Sequence, residues 1–282
     1  MSKYLEEIAN TKVKEAAAVA WWLGQMGLII KMGETTICID YYATPSADRL
    51  VAPPIPADEM TGIDAFLGTH DHLDHIDHEA WKIWAKNCPE AKFIFPKPFR
   101  DEIISDGVNP ENAMGINEGE SIQLGDVTIR AIAASHEFLD KDEKTGFYPY
   151  LQYIIEGNGL RIHHAGDTVR YEGMMPKLRN FGHIDMELLP INGRDAEKYR
   201  RNCIGNMTFQ EAADLAGEVK PGLVIPGHFD MFSDNSEDPS KFKDYIDVKY
   251  EGKLNCVIPK VMKPILVQVG KLGSDTTLKS GV

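Results

Sequence analysis

Residues 70–78, with the sequence HDHLDHIDH, follow an apolar stretch at 63–69 and constrain the fold more than any other part of the chain. Two histidines separated by one residue on an extended segment project to the same side, so His70 and His72 can hold one metal ion. A turn directly after them would carry Asp74 and His75 towards a second ion. The alternative is a solvated loop at the start of a helix. Four ligand-type residues at these offsets favour a two-metal hydrolytic centre.

One loop supplies too few ligands for two metal ions, so further ligands are expected elsewhere in the chain. Three ligand-type residues meet this expectation, because each comes at the end of a strand-like run. The runs are 127–134 before His136, 150–156 and 160–164 before Asp167, and 222–226 before His228. A histidine at the end of one strand is often only a satisfied polar group. Three such residues after one His-x-His-x-Asp-His pattern indicate a shared metal site.

The order of these residues resembles the ligand order of the metallo-β-lactamase superfamily, and the resemblance extends over nearly the whole chain. It implies an α/β fold in which two β-sheets pack between outer helices, the four-layer αββα sandwich of that superfamily. It also implies which side chains hold each metal ion. His70, His72 and His136 would hold the first, Asp74, His75 and His228 the second, and Asp167 would bridge the two.

Several shorter segments resemble, more narrowly, the L-ascorbate-6-phosphate lactonase family. They are 19–24 (VAWWLG), 37–42 (ICIDYY), 69–72 (THDH), 165–167 (AGD) and 224–228 (VIPGH), followed by Asp230 and by Asp238-Pro239. The chain is shorter than these lactonases, particularly between Asp40 and the metal loop. The resemblance implies a metal-dependent hydrolase of a small anionic lactone, ester or phosphodiester, with a sugar-phosphate lactone as one candidate substrate.

The ligand set predicts the type of reaction. Two divalent cations about 3.5 to 4 Å apart can share a bridging water, lower its pKa to about 7 and hold it in line with an electrophilic carbon or phosphorus. Asp74 and His75 are the predicted catalytic residues, and Asp74 is expected to orient the nucleophile. The donor set suits several metals, among which zinc and manganese are the leading candidates. Asp40, at the end of an apolar run, is interpreted either as a turn residue or as the partner that orients a ligand histidine.

Two other functions are compatible with the same ligands. Some members of the superfamily cut nucleic acids, but this chain has 30 Lys and Arg residues against 43 Asp and Glu, and its formal charge of −13 would repel a polyanion. The expected partner is therefore a small anionic molecule, with no nucleic acid. A non-catalytic, metal-binding regulatory protein is the other alternative. Such proteins typically lose ligands, whereas all seven positions are filled here.

Length and composition indicate a single domain. The 282 residues suffice for a large core, and no linker or low-complexity segment divides them, so we expect one metallo-β-lactamase-like domain over 1–282. The N-terminus lacks a signal-type apolar stretch, and the chain has no run of about 18 apolar residues. A cytoplasmic protein with no membrane partner is expected, and homo-oligomerisation is left open. The four cysteines are widely separated, and Cys38 is expected to be buried.

The remaining pattern predicts strands and helices that fit the sandwich. The strand-like runs 19–31 and 35–40 are predicted to form a hairpin. A helix is predicted over 77–86, and its two tryptophans are assigned to the core. Another helix is predicted over 208–219, because residues 208–211 (TFQE) form a capping box.

The segment 190–202 lies between a strand-like run at 184–189 and the capped helix, which predicts a loop beside Asp167 and His228. Loops at the rim of a rigid scaffold commonly hold specificity residues. Because a guanidinium pairs bidentately with phosphate or carboxylate, Arg194 is predicted to bind an anionic substrate group. The alternative is that the arginines of this loop are solvated or paired with neighbouring acids. The predicted substrate-binding residues are Arg194, Asn192 and His164.

Overall fold

The described part of the chain, residues 2–203 and 205–269 of a computed structural model, combines strands with helices. Its strands are β1 (Ala17–Gly24), β2 (Gly27–Met32), β3 (Thr35–Ile39), β4 (Ala65–Leu67), β5 (Lys92–Pro96), β6 (Ala113–Ile116), β7 (Ser121–Leu124), β8 (Val127–Ala133), β9 (Leu151–Gly157), β10 (Leu160–His164), β11 (Met186–Pro190), β12 (Leu223–Gly227) and β13 (Pro264–Gln268). Its α-helices are α1 (Lys3–Asn10), α2 (His78–Asn87), α3 (Arg100–Ser105), α4 (Met174–Arg179), α5 (Ala196–Arg200), α6 (Phe209–Val219) and α7 (Pro239–Tyr250). The limits of the predicted domain, residues 1 and 282, lie outside the described residues.

The strands form two sheets, each with an antiparallel half and a parallel half. The first sheet has the order β13-β1-β2-β3-β4-β5-β6, in which the pairs up to β3 are antiparallel and those from β3 to β6 are parallel. The second has the order β12-β11-β10-β9-β8-β7, in which the pairs from β7 to β10 are antiparallel and those from β10 to β12 are parallel. Parallel pairs need crossover connections, and most of the helices lie in these connections.

The main apolar core lies between the two sheets. Leu28 and Ile30 of β2 enter it from the first sheet, and Tyr153 and Ile155 of β9 enter it from the second. Side chains two residues apart on a strand share a face, so each sheet turns one apolar face towards the other.

Helices cover the outer faces of the sheets. Trp81 and Trp84 of α2 are each about 1% exposed, and the ring of Trp84 stacks on Phe66 of the first sheet with their centroids 4.6 Å apart. Their assignment to the core is confirmed. On the second sheet, α6 begins at the predicted capping box of Thr208 and Glu211 and buries its apolar face in the main core. The layers follow the order helix, sheet, sheet, helix, which is the αββα sandwich that the sequence predicts.

The prediction of one continuous strand over 19–31 is wrong. The run 19–31 is two antiparallel strands, β1 and β2, which are joined by a turn at Gln25 with φ 55°. The apolar run conceals this turn because both strands lie inside the sheet and are buried on both faces. The predicted hairpin with the following run is confirmed as β2 and β3. The runs predicted at 127–134, 150–156, 160–164 and 222–226 are strands β8, β9, β10 and β12.

The parallel strands determine where the predicted ligands lie. Asp40 follows β3, the metal loop follows β4, and Asp167 and His228 follow β10 and β12. Carboxyl ends of parallel strands lie at the same edge of a sheet, and loops at that edge commonly form the binding site in α/β folds. Among the residues that the structure describes, no helix combines the length and apolar character needed to cross a bilayer.

Candidate metal centre

The predicted metal loop leaves the end of β4 and turns back on itself. The backbone N–H groups of His75 and Ile76 both donate to the carbonyl oxygen of His72 at 2.9 Å. This turn brings the ring of His75 beside that of His70, with the two centroids 4.0 Å apart. The turn expected after the second histidine is therefore present, and Asp74 lies within it.

The seven predicted ligands converge on one place. Within each of three groups the ligand atoms all lie within 4.8 Å of one another. The groups are His70 with His72 and His136, Asp74 with His75 and His228, and His70 with His75 and Asp167. In the first group, Nε2 of His70 is 2.9 Å from Nδ1 of His72. The structure thus assembles each of the two ligand sets that the resemblance implies.

Asp167 lies between the two sets. Its Oδ1 atom is 3.4 Å from Nε2 of His75, and its Oδ2 atom is 3.2 Å from Nε2 of His228. Oδ2 is also 3.7 Å from Nε2 of His136, which belongs to the other set. A single carboxylate therefore reaches both sets, as the predicted bridging role requires.

Two buried atoms of this centre show that a cation fits it. Nε2 of His75 and Oδ1 of Asp167 have no hydrogen-bond partner among the described residues, although they face each other at 3.4 Å. Leaving one buried polar atom unpartnered costs about 1 to 3 kcal/mol. A cation bound by both atoms would remove that cost, and imidazole and carboxylate donors suit divalent transition metals.

The first set offers neutral imidazoles. Burial lowers the pKa of His70 and His72 and lowers the pKa of His136 to about 4. A neutral imidazole keeps one nitrogen lone pair free for a metal ion. The first set therefore provides three uncharged nitrogen donors at neutral pH.

The second set combines carboxylates with His75. Burial alone would raise the pKa of Asp167, but the charges of His228 and His75 outweigh it and hold the pKa of Asp167 well below its usual range. Burial alone would lower the pKa of His75, but Asp167, Asp74 and Asp40 raise it well above its usual range. Positive charge is thus favoured at this point of the site, as expected where a cation binds between carboxylates.

Asp40 orients His75. Its Oδ2 atom accepts from Nδ1 of His75 at 2.7 Å and from the hydroxyl of Thr69 at 2.7 Å, and its Oδ1 atom accepts from the N–H of Thr69 at 2.8 Å. Because Nδ1 of His75 donates its proton to Asp40, Nε2 faces the centre and is the nitrogen that would give up its proton to a metal ion. Of the two interpretations left open by the sequence, the structure selects the orienting partner.

A family model described as a β-lactamase superfamily domain matches residues 36–229, a segment that contains all seven predicted ligands. The chain belongs to the metallo-β-lactamase superfamily. A member of the UPF0173 family from Pyrococcus furiosus is 32% identical over 222 residues, which cover 79% of this chain and 87% of the relative.

Two other proteins are similar over most of the chain. A protein named probable L-ascorbate-6-phosphate lactonase, from Escherichia fergusonii, is 27% identical over 304 aligned positions, which cover 94% of this chain and 83% of the relative. The structure of Igni18, a metallo hydrolase from the archaeon Ignicoccus hospitalis, superposes with a TM-score of 0.70 at 20% identity, covering 89% of this chain and 98% of that one. The predicted superfamily fold is therefore confirmed.

Gly166 shows how closely this superfamily member packs its metal loops. Its φ is 56°, and a Cβ atom placed there would lie 2.9 Å from the carbonyl oxygen of Leu151 and 2.9 Å from Cβ of Thr69. Only glycine combines this backbone conformation with the absence of a side chain. The residue directly before Asp167 is thereby fixed against the residue directly before His70.

Gln25 is a site residue that sequence reasoning missed. It is fully buried in the turn between β1 and β2, and its Nε2 atom donates to Oδ2 of Asp74 at 2.9 Å. The same atom is 3.1 Å from Nδ1 of His228, whose backbone N–H donates to the carbonyl oxygen of Gln25 at 2.9 Å. One side chain thus links two predicted ligands. The available signal was a polar residue inside the apolar run 19–31.

Tyr150 is the other site residue that sequence reasoning missed. Its ring centroid lies 5.4 Å from that of His70, 5.3 Å from that of His136 and 6.2 Å from that of His72. The phenol ring therefore packs against all three imidazoles of the first set and restricts their rotation. No motif in the sequence marks this tyrosine.

A cavity of about 230 Å³ opens beside the metal centre. The residues that line it are His72, Asp74, His136, Asp167, Asn202, Cys203, His228 and Asn235. Five of these eight are predicted ligands, so the cavity leads directly to the centre. Asn202 is the last residue of the segment 190–202, which the sequence predicts to lie beside Asp167 and His228. Its place on the cavity wall confirms that position.

The predicted substrate residues Asn192 and His164 lie behind the cavity rather than on its wall. Asn192 is 3% exposed, and its Nδ2 atom donates to Oδ1 of Asn235 at 2.7 Å, so it holds a residue that does line the cavity. His164 is fully buried, and its Nε2 atom lies 2.8 Å from the carbonyl oxygen of Met26. His164 is therefore absent from the cavity wall, and its predicted role in substrate binding stays a prediction.

Arg194 faces Glu211 and is absent from the cavity wall. Its two terminal nitrogens each donate to one oxygen of Glu211 at 2.7 Å, and one of them also donates to the carbonyl oxygen of Asn206 at 3.0 Å. Arg200 and Arg201 of the same segment pair with Glu197 and Asp234. The arginines of this loop are therefore paired with acidic side chains, which is the alternative that the sequence left open. The partner of Arg194 belongs to the capping box of α6 rather than to the loop itself.

His78 connects the metal loop to the end of α3. Its Nε2 atom is 2.7 Å from Oδ1 of Asp71, and its Nδ1 atom contacts Oδ2 of Asp106. The hydrogen bond with Asp71 outweighs burial, and together with Asp106 it raises the pKa of His78 to about 9. A charged imidazole between two carboxylates thus anchors the loop that carries four of the predicted ligands.

Proposed function

We propose that this protein is a metal-dependent hydrolase that uses two divalent cations to cleave a small lactone or ester. The observation that carries the proposal is the convergence of seven ligand-type side chains, five of which line one cavity of about 230 Å³. The unpartnered Nε2 of His75 and Oδ1 of Asp167 support cation binding at that place. The relative named as a probable L-ascorbate-6-phosphate lactonase supports a lactone as the substrate class.

In this proposal the two ligand sets divide the cations between them. His70, His72 and His136 would hold one cation, Asp74, His75 and His228 would hold the other, and Asp167 lies between the two sets. When bound, such cations lower the pKa of a water molecule to about 7 and polarise a carbonyl oxygen. Zinc and manganese both suit the donor set.

Asp74 accepts a proton from the attacking water and later donates it to the departing oxygen. Burial alone would raise the pKa of Asp74, but His75 and His228 lower it, so its carboxylate is ionised. Oδ2 already accepts a hydrogen bond from Gln25, so Oδ1 is the oxygen that accepts a proton from the water. The water oxygen bonds to the carbonyl carbon, the bond from that carbon to the ring or ester oxygen breaks, and the departing oxygen takes the proton from Asp74.

The size of the cavity supports a small substrate. Ligand pockets usually have volumes of about 300 to 1,000 Å³, so a cavity of about 230 Å³ accommodates little more than the reacting group. The formal charge of −13 supports the choice of a small molecule over a nucleic acid.

The test is metal-dependent turnover. The protein is stripped of metal, reloaded with zinc or manganese, and assayed on a simple lactone, a carboxylic ester and a phosphodiester. We expect turnover of the lactone or ester that a chelator abolishes, and a fall in kcat of at least about 100-fold for Asp74→Asn. Asp101→Asn, at an exposed position in α3, is the control and should keep wild-type rates. Metal binding without turnover would favour the regulatory alternative, and turnover of the phosphodiester alone would exclude the lactone.

A further inference from the structure

Four exposed apolar side chains lie beside the cavity. Among the residues that the structure describes, nine large hydrophobic side chains are exposed, and four of the nine adjoin the metal centre or the loop that lines its cavity. These four, called the apolar rim below, are Leu73, Phe138, Leu139 and Tyr199. Single exposed hydrophobic residues are ordinary, but a cluster beside a cavity usually marks a binding surface.

The structure joins the loops that carry the apolar rim. Leu73 lies between two residues that line the cavity, and Phe138 forms a β-bridge with His136, which also lines it. The hydroxyl of Tyr199 donates to the carboxylate of Glu137, so α5 is tied to the same loop. These four residues belong to three separate segments, the metal loop, the loop after β8 and α5, and each segment contains or adjoins residues that line the cavity.

The apolar rim is held out into solvent. Leu73 is 59% exposed, Phe138 65% and Tyr199 49%. Glu137, directly before Phe138, has φ 73°, a left-handed conformation that non-glycine residues rarely adopt. Strained residues of this kind cluster at ligand sites, where the surrounding contacts maintain them.

Positive side chains are absent from the described part of the cavity wall. No lysine or arginine is among the described residues that line it. Lys198 is buried, and its ammonium group faces the carbonyl oxygens of Asn192 and Gly193. Residues 137–144, beside the apolar rim, contain four acidic and two basic side chains. Arg194 is held by Glu211 and Arg201 by Asp234, so each of these two guanidinium groups already faces a carboxylate.

We propose that the preferred substrate is an uncharged lactone or ester with an apolar substituent, which lies on the apolar rim while the carbonyl group enters the cavity. This inference rests on the proposed hydrolase function and names the substrate class of the same site. It replaces the anionic substrate expected from Arg194. The cavity is too small to take a long substituent, so such a group extends over the rim.

A series of lactones tests the inference. Ring size is kept constant while an alkyl substituent is lengthened, and each compound is compared with a counterpart that ends in a carboxylate or phosphate. With the metal-loaded protein we expect kcat/KM to rise about two- to fourfold for each added methylene until the rim is covered. The double variant Leu73→Ala/Phe138→Ala should flatten this dependence. The control Val248→Ala removes an apolar side chain of α7 that is still more exposed, and it should keep the dependence.

Three results would overturn the inference. The first is turnover with no dependence on substituent length. The second is a preference for the anionic counterparts that Arg194→Ala abolishes. The third is a dimer in sedimentation equilibrium that Phe138→Asp dissociates, with no length dependence, because the rim would then contact a second copy of the chain. Failure of every lactone and ester to react would instead refute the proposed hydrolase function.

Discussion

Replacing Asp40 with asparagine tests how a buried carboxylate prepares His75 for metal binding. Oδ1 of Asp40 accepts the N–H of Thr69 at 2.8 Å, and Oδ2 accepts Nδ1–H of His75 at 2.7 Å. Asparagine has one oxygen and one NH₂ group, so its oxygen would keep Thr69 and its NH₂ group would face Nδ1 of His75. Two donors cannot face each other, so Nδ1 would lose its proton, and the remaining imidazole proton would lie on Nε2, the atom that points to the centre.

The magnitude follows from the contacts that are lost. Partners that fix the tautomer of a ligand histidine are worth about 10- to 100-fold in metal affinity, which is about 1.4 to 2.8 kcal/mol. Metal-free Asp40→Asn should also unfold more easily by about 1.5 to 3 kcal/mol, because a hydrogen bond to a buried charged group is replaced. Asp40 is only 1% exposed, so water cannot compensate for either loss.

The assay is a competition titration with a chromophoric zinc chelator, combined with urea unfolding of the metal-free protein. Asp64→Asn is a matched control, because Oδ2 of Asp64 also accepts a backbone N–H, that of Thr36 at 2.7 Å, at the opposite end of the same two strands. The control should bind zinc like the wild type. Nitrogen-15 NMR should find a proton on Nδ1 of His75 in the wild type and no proton on that nitrogen in Asp40→Asn. Wild-type zinc affinity in Asp40→Asn would refute the reasoning.

Three further predictions follow from other contacts. Gly166→Ala should lower the free energy of unfolding by about 1 to 3 kcal/mol and reduce activity, since its Cβ would lie 2.9 Å from Cβ of Thr69; wild-type urea unfolding would contradict this. Gln25→Ala should weaken retention of one of the two metal ions by about tenfold in dialysis followed by metal analysis, because Asp74 loses its 2.9 Å hydrogen bond; equal loss of both ions would contradict it. His78→Gln should be less stable than the wild type by about 1 to 2 kcal/mol below pH 6.5, after allowance for partial exposure of the imidazole. Because folding raises the pKa of His78 from 6.5 to about 9, that difference should shrink as the pH rises and vanish above pH 9, and a difference independent of pH would contradict it.

The sequence predicted which side chains converge at the candidate centre, because a metal centre needs particular residue types at particular strand ends. All seven positions could be named before any contact was known, since each follows an apolar run whose end is visible in the chain. The two sheets were harder to delineate. The strands β1 and β2 are buried on both faces, so the apolar run 19–31 lacks the alternation that would reveal the turn at Gln25.

The substrate side of the site depends on contacts between distant residues, which local patterns do not encode. Arg194 looked free because its partner, Glu211, lies 17 positions later and was already assigned to a helix cap. Tyr150 contacts His70 across 80 positions of sequence and belongs to no motif. Charge and residue type were therefore sufficient to propose that Arg194 binds an anion. They could not show that the carboxylate of Glu211 already accepts its hydrogen bonds.

Metal stoichiometry, measured together with activity in a double variant of the first ligand set, tests the two-metal hydrolase most directly. We expect up to two divalent transition-metal ions per chain in the wild type, with lactone or ester hydrolysis that a chelator abolishes and zinc or manganese restores. The variant His70→Ala/His72→Ala should fold, lose at least one ion and lose hydrolysis, because these side chains supply two of the three nitrogens of that set. Full metal occupancy in this variant, or wild-type hydrolysis by metal-free protein, would contradict the account.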